Sequence, residues 1–311
     1  MPAIAPAINA QSNPNNQQRN VKRVNRQLSI RLSRAQNEIK RLVRGIPRKA
    51  STVVDTPLIT HLRITNYEIT PEERQRLAEE VHALLNEELL ENEEGKDMPE
   101  NWFYKSEIEI PFRQGVLTEI EETNRLIEAA IIAGILLWPG RPAIDPVNLL
   151  RSEAYRAGLE EVYVRNFLVI KGLSDSVATQ IVGVINNGID AKLSISDIAK
   201  KINERFAVSK VSSLRIAQTE TNRAFNDGKI NMGELAEQET GIKTAVRHIS
   251  ALLPTTRPHH AARHRKIYSR AAQQSWWAEG VNRINCRCTI ESVLVNKKNR
   301  DTIERLWGFD Q

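Results

Sequence analysis

Aromatic residues are scarce in this sequence: Phe, Trp and Tyr together make up 5% of 311 residues. The core must therefore rest on Leu, Ile, Val and Ala, within a hydrophobic content of 41% that suffices for one large or two ordinary domains. Apolar runs are short as well. The longest, residues 129–138, holds ten residues, about half of what a membrane span requires, so no membrane partner is expected. Residues 1–20 are rich in Asn, Gln, Pro and Ala and lack the apolar stretch of a secretory signal. Cysteine is nearly missing. Cys286 and Cys288 are the two present, and in a chain without such a signal they are expected to stay reduced. One intervening residue also strains a disulfide between them.

Carboxylates are missing from two places. Residues 1–50 hold eleven Lys and Arg against one acid, Glu38, for a net charge of +10. Residues 205–300 again carry +10, with 17 basic and seven acidic side chains, whereas residues 51–204 carry −12. The overall +6 thus hides two basic ends around an acidic middle, a pattern that suits different partners for different segments. The second gap is chemical: between His248 and Cys288 the only acid is Glu279. A magnesium-dependent centre in that window would lack its usual ligands.

What is present is mostly helical periodicity. Residues 1–18 are polar and expected to be disordered. In residues 19–49 Leu28, Leu32, Ile39, Leu42 and Val43 recur at near-helical spacing among Arg23, Arg26, Arg31, Arg34, Arg41 and Arg44. Such a helix either lies on nucleic acid or an acidic protein, or docks by its apolar stripe on its own body. Residues 52–70 offer one or two short strands. Thr70-Pro71-Glu72-Glu73 opens a helix that ends in an acidic run, Glu87 to Glu94. Residues 116–138 predict a helix that becomes apolar all round, hence buried. Three more helical stretches follow: 147–170, with a break near Gly158 or after Arg165; one starting at Leu173 and stopping at Asn187-Gly188; and one capped by Ser194. A further helix is expected over 212–238, closed by Gly241. After it the pattern changes to strands at 243–249 and 288–295, with a helix near 268–279 and a turn between. The fold class is a mainly α N-terminal body with a small α+β C-terminal domain and a basic, partly disordered arm. The divisions fall at 1–50, 51–210, 211–300 and 301–311.

Four of the six His and both Cys lie within residues 248–288. Zn²⁺ takes thiolate and imidazole in tetrahedral array. Cys286, Cys288 and His264, with either His260 or His248, supply such a set, and zinc is the one cofactor in view. The competing reading packs the cysteines as small hydrophobes and bonds the imidazoles to backbone. Trp276 and Trp277 are adjacent on a helix and point about 100° apart, so they cannot form one flat stacking platform. Arg263, Arg265 and Lys266 are candidate phosphate contacts. Thr255 and Thr256 can instead cap the turn while Arg257 pairs with Glu220. Clustered His and Arg also leave open a metal-dependent nuclease or toxin-like enzyme, for which a carboxylate beside His260 and His264 is the deciding feature.

The order T-T-R-P-H-H-A-A-R-H at 255–264, W-W at 276–277 and N-C-R-C at 285–288 resembles the C-terminal region of phage minor head proteins, the Mu F-like head-morphogenesis family. The stretch R-I-A-Q-T-E-T-N-R-A at 215–224 resembles the helix that opens that region. The likeness covers roughly residues 214–294, about a quarter of the chain. Many members have a Gly shortly after the first His of the motif; here Arg265 follows His264. The resemblance implies a non-enzymatic virion protein, present in few copies near the portal vertex of the phage head. It implies roles in head assembly and DNA handling, with portal protein, major capsid protein and phage DNA as partners, and the host cytoplasm as the place of assembly.

Overall fold

The computed structural model describes residues 17–49, 52–56, 59–90, 102–103, 108–132 and 144–295. The expectations for residues 1–16, the acidic run beyond 90, the Pro-Gly stop at 139–142 and the tail beyond 295 lie outside the described residues. By internal contacts the described residues fall into two compact units, one drawn from 24–103 and 165–214, the other from the described residues outside those ranges.

In the first unit, α1 (Gln18–Arg44) buries Val24, Leu28, Leu32, Ala35, Ile39 and Val43 completely. Steps of three and four residues keep these side chains on one stripe of a 3.6-residue helix. The helical part of the expected arm is therefore docked by its apolar side, with its basic side outward. β1 (Thr52–Thr56) and β2 (Ile59–Ile64) form an antiparallel pair with Thr52 opposite Ile64. α2 (Pro71–Leu90) starts with a capping box: the Thr70 N–H reaches Glu73 Oε2 at 2.8 Å, and the Glu73 N–H reaches Thr70 Oγ1 at 3.2 Å. Its Val81, Leu85 and Leu89 are buried with Ile170, Val177, Ile181, Ile198, Ile202 and Phe206 from two later helices.

Those later helices correct the expected pieces. α5 (Glu153–Asp190) and α6 (Ile195–Thr240) are each continuous, of 38 and 46 residues. Gly158 does not break α5, because it is a contact position: a Cβ there would lie 2.7 Å from the Asn231 amide. Gly188 does not stop it either, since a Cβ there would meet Ile198 at 2.5 Å; the left-handed turn falls on Lys192, at φ 53°. Within α6, Ser209 and Ser213 return their hydroxyls to the carbonyls four residues back, at 3.1 and 2.9 Å, so neither interrupts the helix. By length and apolar content α5 could cross a membrane. Its buried residues, Ile170, Val177, Ile181 and Ile185 among them, form the apolar face of a core helix.

In the second unit α3 (Glu109–Ile132) crosses the C-terminal half of α6 at two glycines. A Cβ on Gly115 would fall 1.9 Å from the Phe225 carbonyl oxygen, and one on Gly228 would fall 2.2 Å from that of Phe112. Of the expected buried helix over 116–138, residues 133–138 lie outside the described residues; before them Ile127 and Ala130 are buried and Ile132 is 81% exposed. A short α4 (Pro146–Leu149), capped by Asp145, leads into α5. Gly241, at φ 67°, closes α6. The chain then builds a small antiparallel sheet in the order β4 (Ile267–Tyr268), β3 (Thr244–Ile249), β5 (Thr289–Leu294). Between the strands lie α7 (Pro258–Ala261), α8 (Arg270–Ala278) and α9 (Gly280–Arg283), the last where a turn is expected.

Candidate functional site

One face of α6 holds the backbone of β5. The side-chain amides of Asn222 and Asn226 both donate to the Cys288 carbonyl at 3.1 Å, and Asn226 Oδ1 accepts from Thr289 Oγ1 at 2.9 Å. One turn further, Lys229 Nζ donates to the Ile290 carbonyl at 2.7 Å. Spacings of four and three residues place all three side chains on one stripe. Lys229 also donates to both Glu122 oxygens at 2.7 Å and lies 3.8 Å from Glu119. Burial pushes the Glu122 carboxyl above its ordinary value against the pull of Lys229. Glu119, fully buried, accepts from Arg270 at 2.8 Å and from the Ser292 hydroxyl, and Arg270 further bonds Thr244 Oγ1 at 2.7 Å. This charge knot joins α3, α6, α8 and the sheet.

Beside it sits the His/Cys cluster. His248 leaves β3, His260 sits in α7, and Cys286 and Cys288 precede β5; all four are buried. Ligand atoms of His248, His260 and Cys288 lie within 4.8 Å of one another. The His260 Nδ1 is 3.4 Å from Cys288 Sγ and 3.6 Å from Cys286 Sγ. The Cys288 N–H donates to Cys286 Sγ at 3.3 Å. A hydrogen bond between the two sulfurs, aided by His260, holds the Cys286 thiol well below its ordinary range, and the same side-chain bond together with burial pushes the Cys288 thiol up.

The tautomer of His248 follows from its neighbours. Arg263 Nη2 donates to Gln273 Oε1 at 3.2 Å, so that oxygen faces the cluster and accepts. His248 Nδ1 lies 3.2 Å from the same oxygen and must carry its proton. The lone pair is then on Nε2, which is buried with no hydrogen-bond partner. Burial, outweighing the Gln273 bond, pushes the His248 imidazole down to about 3, so the ring is neutral at physiological pH. Trp276 covers the imidazoles, with ring centroids 4.7 Å from His260 and 5.3 Å from His248. Trp277 is 2% exposed and packs with Ile230, Val246, Tyr268, Ile290 and both Cys in the core.

The structure brings Cys288 together with both His260 and His248, and Cys286 together with His260 and Cys288. His264 is half-buried at the margin, and its Nδ1 accepts the Ser250 N–H at 3.2 Å. Arg257 is directed to the carbonyls of Val281 and Asn282, the latter at 3.2 Å, in place of the expected Glu220 pairing. Thr256 Oγ1 accepts the Leu253 N–H at 2.8 Å and caps the turn. Among the candidate phosphate contacts, Arg263 is held between Tyr268 and Trp276, 3.5 and 4.4 Å from their ring centroids. Arg265 and Lys266 are exposed. On α1, Arg31 turns inward, donating to the Glu88 carbonyl at 2.9 Å with its guanidinium over Trp102, and Arg23 is half-buried. Arg26, Arg34, Arg41 and Arg44 are exposed, with Arg41 paired to Glu38. A cavity of about 80 Å³ adjoins His260, Cys286 and Cys288; Arg257 and Arg287 line it, and no carboxylate does among the described residues.

Residues 177–291 match the family model described as phage Mu protein F like protein. That segment belongs to the phage Mu F-like family. The match runs from within α5 to the middle of β5 and spans about a third of the chain; it takes in the Asn222, Asn226 and Lys229 stripe and the whole His/Cys cluster. It reaches further back than the motifs at 215–288 by themselves indicate. The Mu F-like family is one of phage head-morphogenesis proteins, and its members are virion components of the minor head protein kind. No curated protein and no solved structure matches the chain. The Lys229–Glu122–Glu119–Arg270 knot is invisible to motif reading, because its members are scattered from residue 119 to residue 292.

Proposed function

We propose that this Mu F-like chain acts at the portal vertex of the phage head during procapsid assembly in the host cytoplasm, joined to portal and major capsid proteins, and that α1 holds it non-specifically to phage DNA. The observation that carries the DNA part is the geometry of α1. At about 100° per residue, Arg26, Arg34, Lys40, Arg41 and Arg44 fall within roughly a third of the circumference, opposite the buried stripe. With the apolar side committed to the protein's own core, the basic side faces outward and suits a polyanion read by charge alone. The enzymatic alternative draws no support from the site. Among the described residues, none that lines the cavity beside the His/Cys cluster is a carboxylate able to act as base or to hold Mg²⁺.

The assembly role is tested by sedimenting the purified full chain with portal protein and, separately, with major capsid protein over a range of salt. Co-sedimentation with at least one of them is expected. Association with neither at any ionic strength overturns this reading.

A further inference from the structure

We infer that His248, His260, Cys286 and Cys288 are the ligands of a structural Zn²⁺ that staples β3, α7 and the start of β5 together. The distances fit before any ion is placed. With Zn–N near 2.05 Å and Zn–S near 2.3 Å, a tetrahedral site has an N···S edge of about 3.6 Å. His260 Nδ1 stands 3.4 Å from one sulfur and 3.6 Å from the other. A metal ion draws two sulfurs onto one nitrogen in this way, whereas one ring proton can serve only one of them well. His248 closes the set. Its Nδ1 proton is held on Gln273, its Nε2 lone pair is buried without a partner, and its ligand atom lies within 4.8 Å of those of His260 and Cys288. Burying a lone pair without a partner is costly, and a metal ion removes that cost.

The surroundings match a structural site. The Gln273 oxygen fixes the orientation of His248, as outer partners of metal-bound imidazoles do. The Cys288 N–H on Cys286 Sγ favours the thiolate. As the ion binds, each thiol releases its proton to solvent. Two thiolates and two neutral imidazoles then cancel the charge of Zn²⁺, which suits a buried position beside Arg263. Mixed thiolate and imidazole ligation selects Zn²⁺ over Mg²⁺ or Ca²⁺. With four protein ligands no position stays open for substrate, so the site holds structure and performs no hydrolysis. His264, although adjacent in the motif, is not a ligand, because its Nδ1 accepts the Ser250 N–H.

The test uses the full chain purified reduced and without chelator. Elemental analysis is expected to find about one zinc per chain. Cys288→Ser and His248→Gln should each lower that content at least fivefold, and His264→Ala should leave it unchanged. Should the Cys288 or His248 variants fail to fold, the native chain still decides the question. After chelation and reloading with Co²⁺ it should show thiolate-to-metal charge transfer and the ligand-field bands of tetrahedral cobalt, and Zn²⁺ should protect both cysteines from alkylation. The inference is overturned if the reduced native chain takes up neither zinc nor cobalt with thiolate bands, or if His264→Ala loses the metal while Cys288→Ser keeps it. A chain that binds zinc but joins no procapsid would overturn the assembly role alone.

Discussion

Lys229 is 1% exposed, a depth at which an ammonium persists only with charges and carbonyls arranged around it. Glu122 takes two of its donors, the Ile290 carbonyl the third, and Glu119 adds a second negative charge at 3.8 Å. Removing the lysine leaves two carboxylates crowded together with Arg270 as the remaining close cation. Lys229→Met should therefore destabilise the chain by about 3–5 kcal/mol in urea unfolding, although methionine fills much of the space. A loss below about 1 kcal/mol would mean that the knot is reached by water. Arg265 gives the opposite case. It holds φ 62° while its N–H donates to the His248 carbonyl at 2.7 Å, so the chain adopts a left-handed turn with a residue poorly suited to it. Arg265→Gly should raise stability by roughly 0.5–1 kcal/mol, seen as an upward shift of the thermal midpoint, with the His/Cys cluster unchanged.

At the scale of elements, glycine has two opposite meanings in this chain. Gly115 lies where α3 touches the backbone of α6, and a Cβ would sit 1.9 Å from the Phe225 oxygen. Gly115→Ala must push the helices apart and should cost about 3 kcal/mol or more. Gly172, inside α5 with nothing within 4 Å of such a Cβ, should respond in the other direction. Gly172→Ala is expected to gain about 0.5–1 kcal/mol from helix propensity alone. Chemical denaturation of the two variants side by side checks the contrast; equal signs would contradict the crossing. The same ambiguity limits what can be read from the sequence. Caps are legible, because Thr70 with Glu73 and Ser194 with Asp197 announce their own hydrogen bonds over three residues. Gly241 is legible because a periodic pattern ends there. Gly158 and Gly188 read as breaks, yet each lies against a side chain distant in sequence, Asn231 or Ile198, and local spacing contains no sign of it. At the candidate site the residue types are legible as a dense group of His and Cys. Which His faces the sulfurs is not, since that depends on β3 running antiparallel to β5, with His248 opposite Ile290.

At the scale of the whole molecule, the basic ends are the chain's most pronounced charge feature, and α1 shows how one of them is presented. Deleting residues 1–50 looks like the natural way to test DNA binding, but it would also remove Val24, Leu28, Leu32, Ala35, Ile39 and Val43 from a core that buries them completely. Loss of binding after that deletion could not be told from loss of folding. Four outward substitutions avoid the problem: Arg26→Gln, Arg34→Gln, Arg41→Gln and Arg44→Gln together, all at exposed positions of one helix. Surface changes of this kind usually alter stability by no more than about 0.5 kcal/mol each, so the thermal midpoint should stay close to that of the native chain. Affinity for duplex DNA of arbitrary sequence should fall by at least an order of magnitude at low salt. If all four arginines meet phosphates, the slope of log K against log salt should also shallow by about 0.9 per contact removed. Sequence preference should not change, because phosphate contacts carry none. The decisive comparison is with assembly. If α1 is a DNA-facing helix, the fourfold variant enters procapsids as the native chain does and differs only in DNA binding. If it binds DNA normally but no longer enters the procapsid, the basic face is a docking surface for an acidic protein, and the DNA assignment of α1 is wrong.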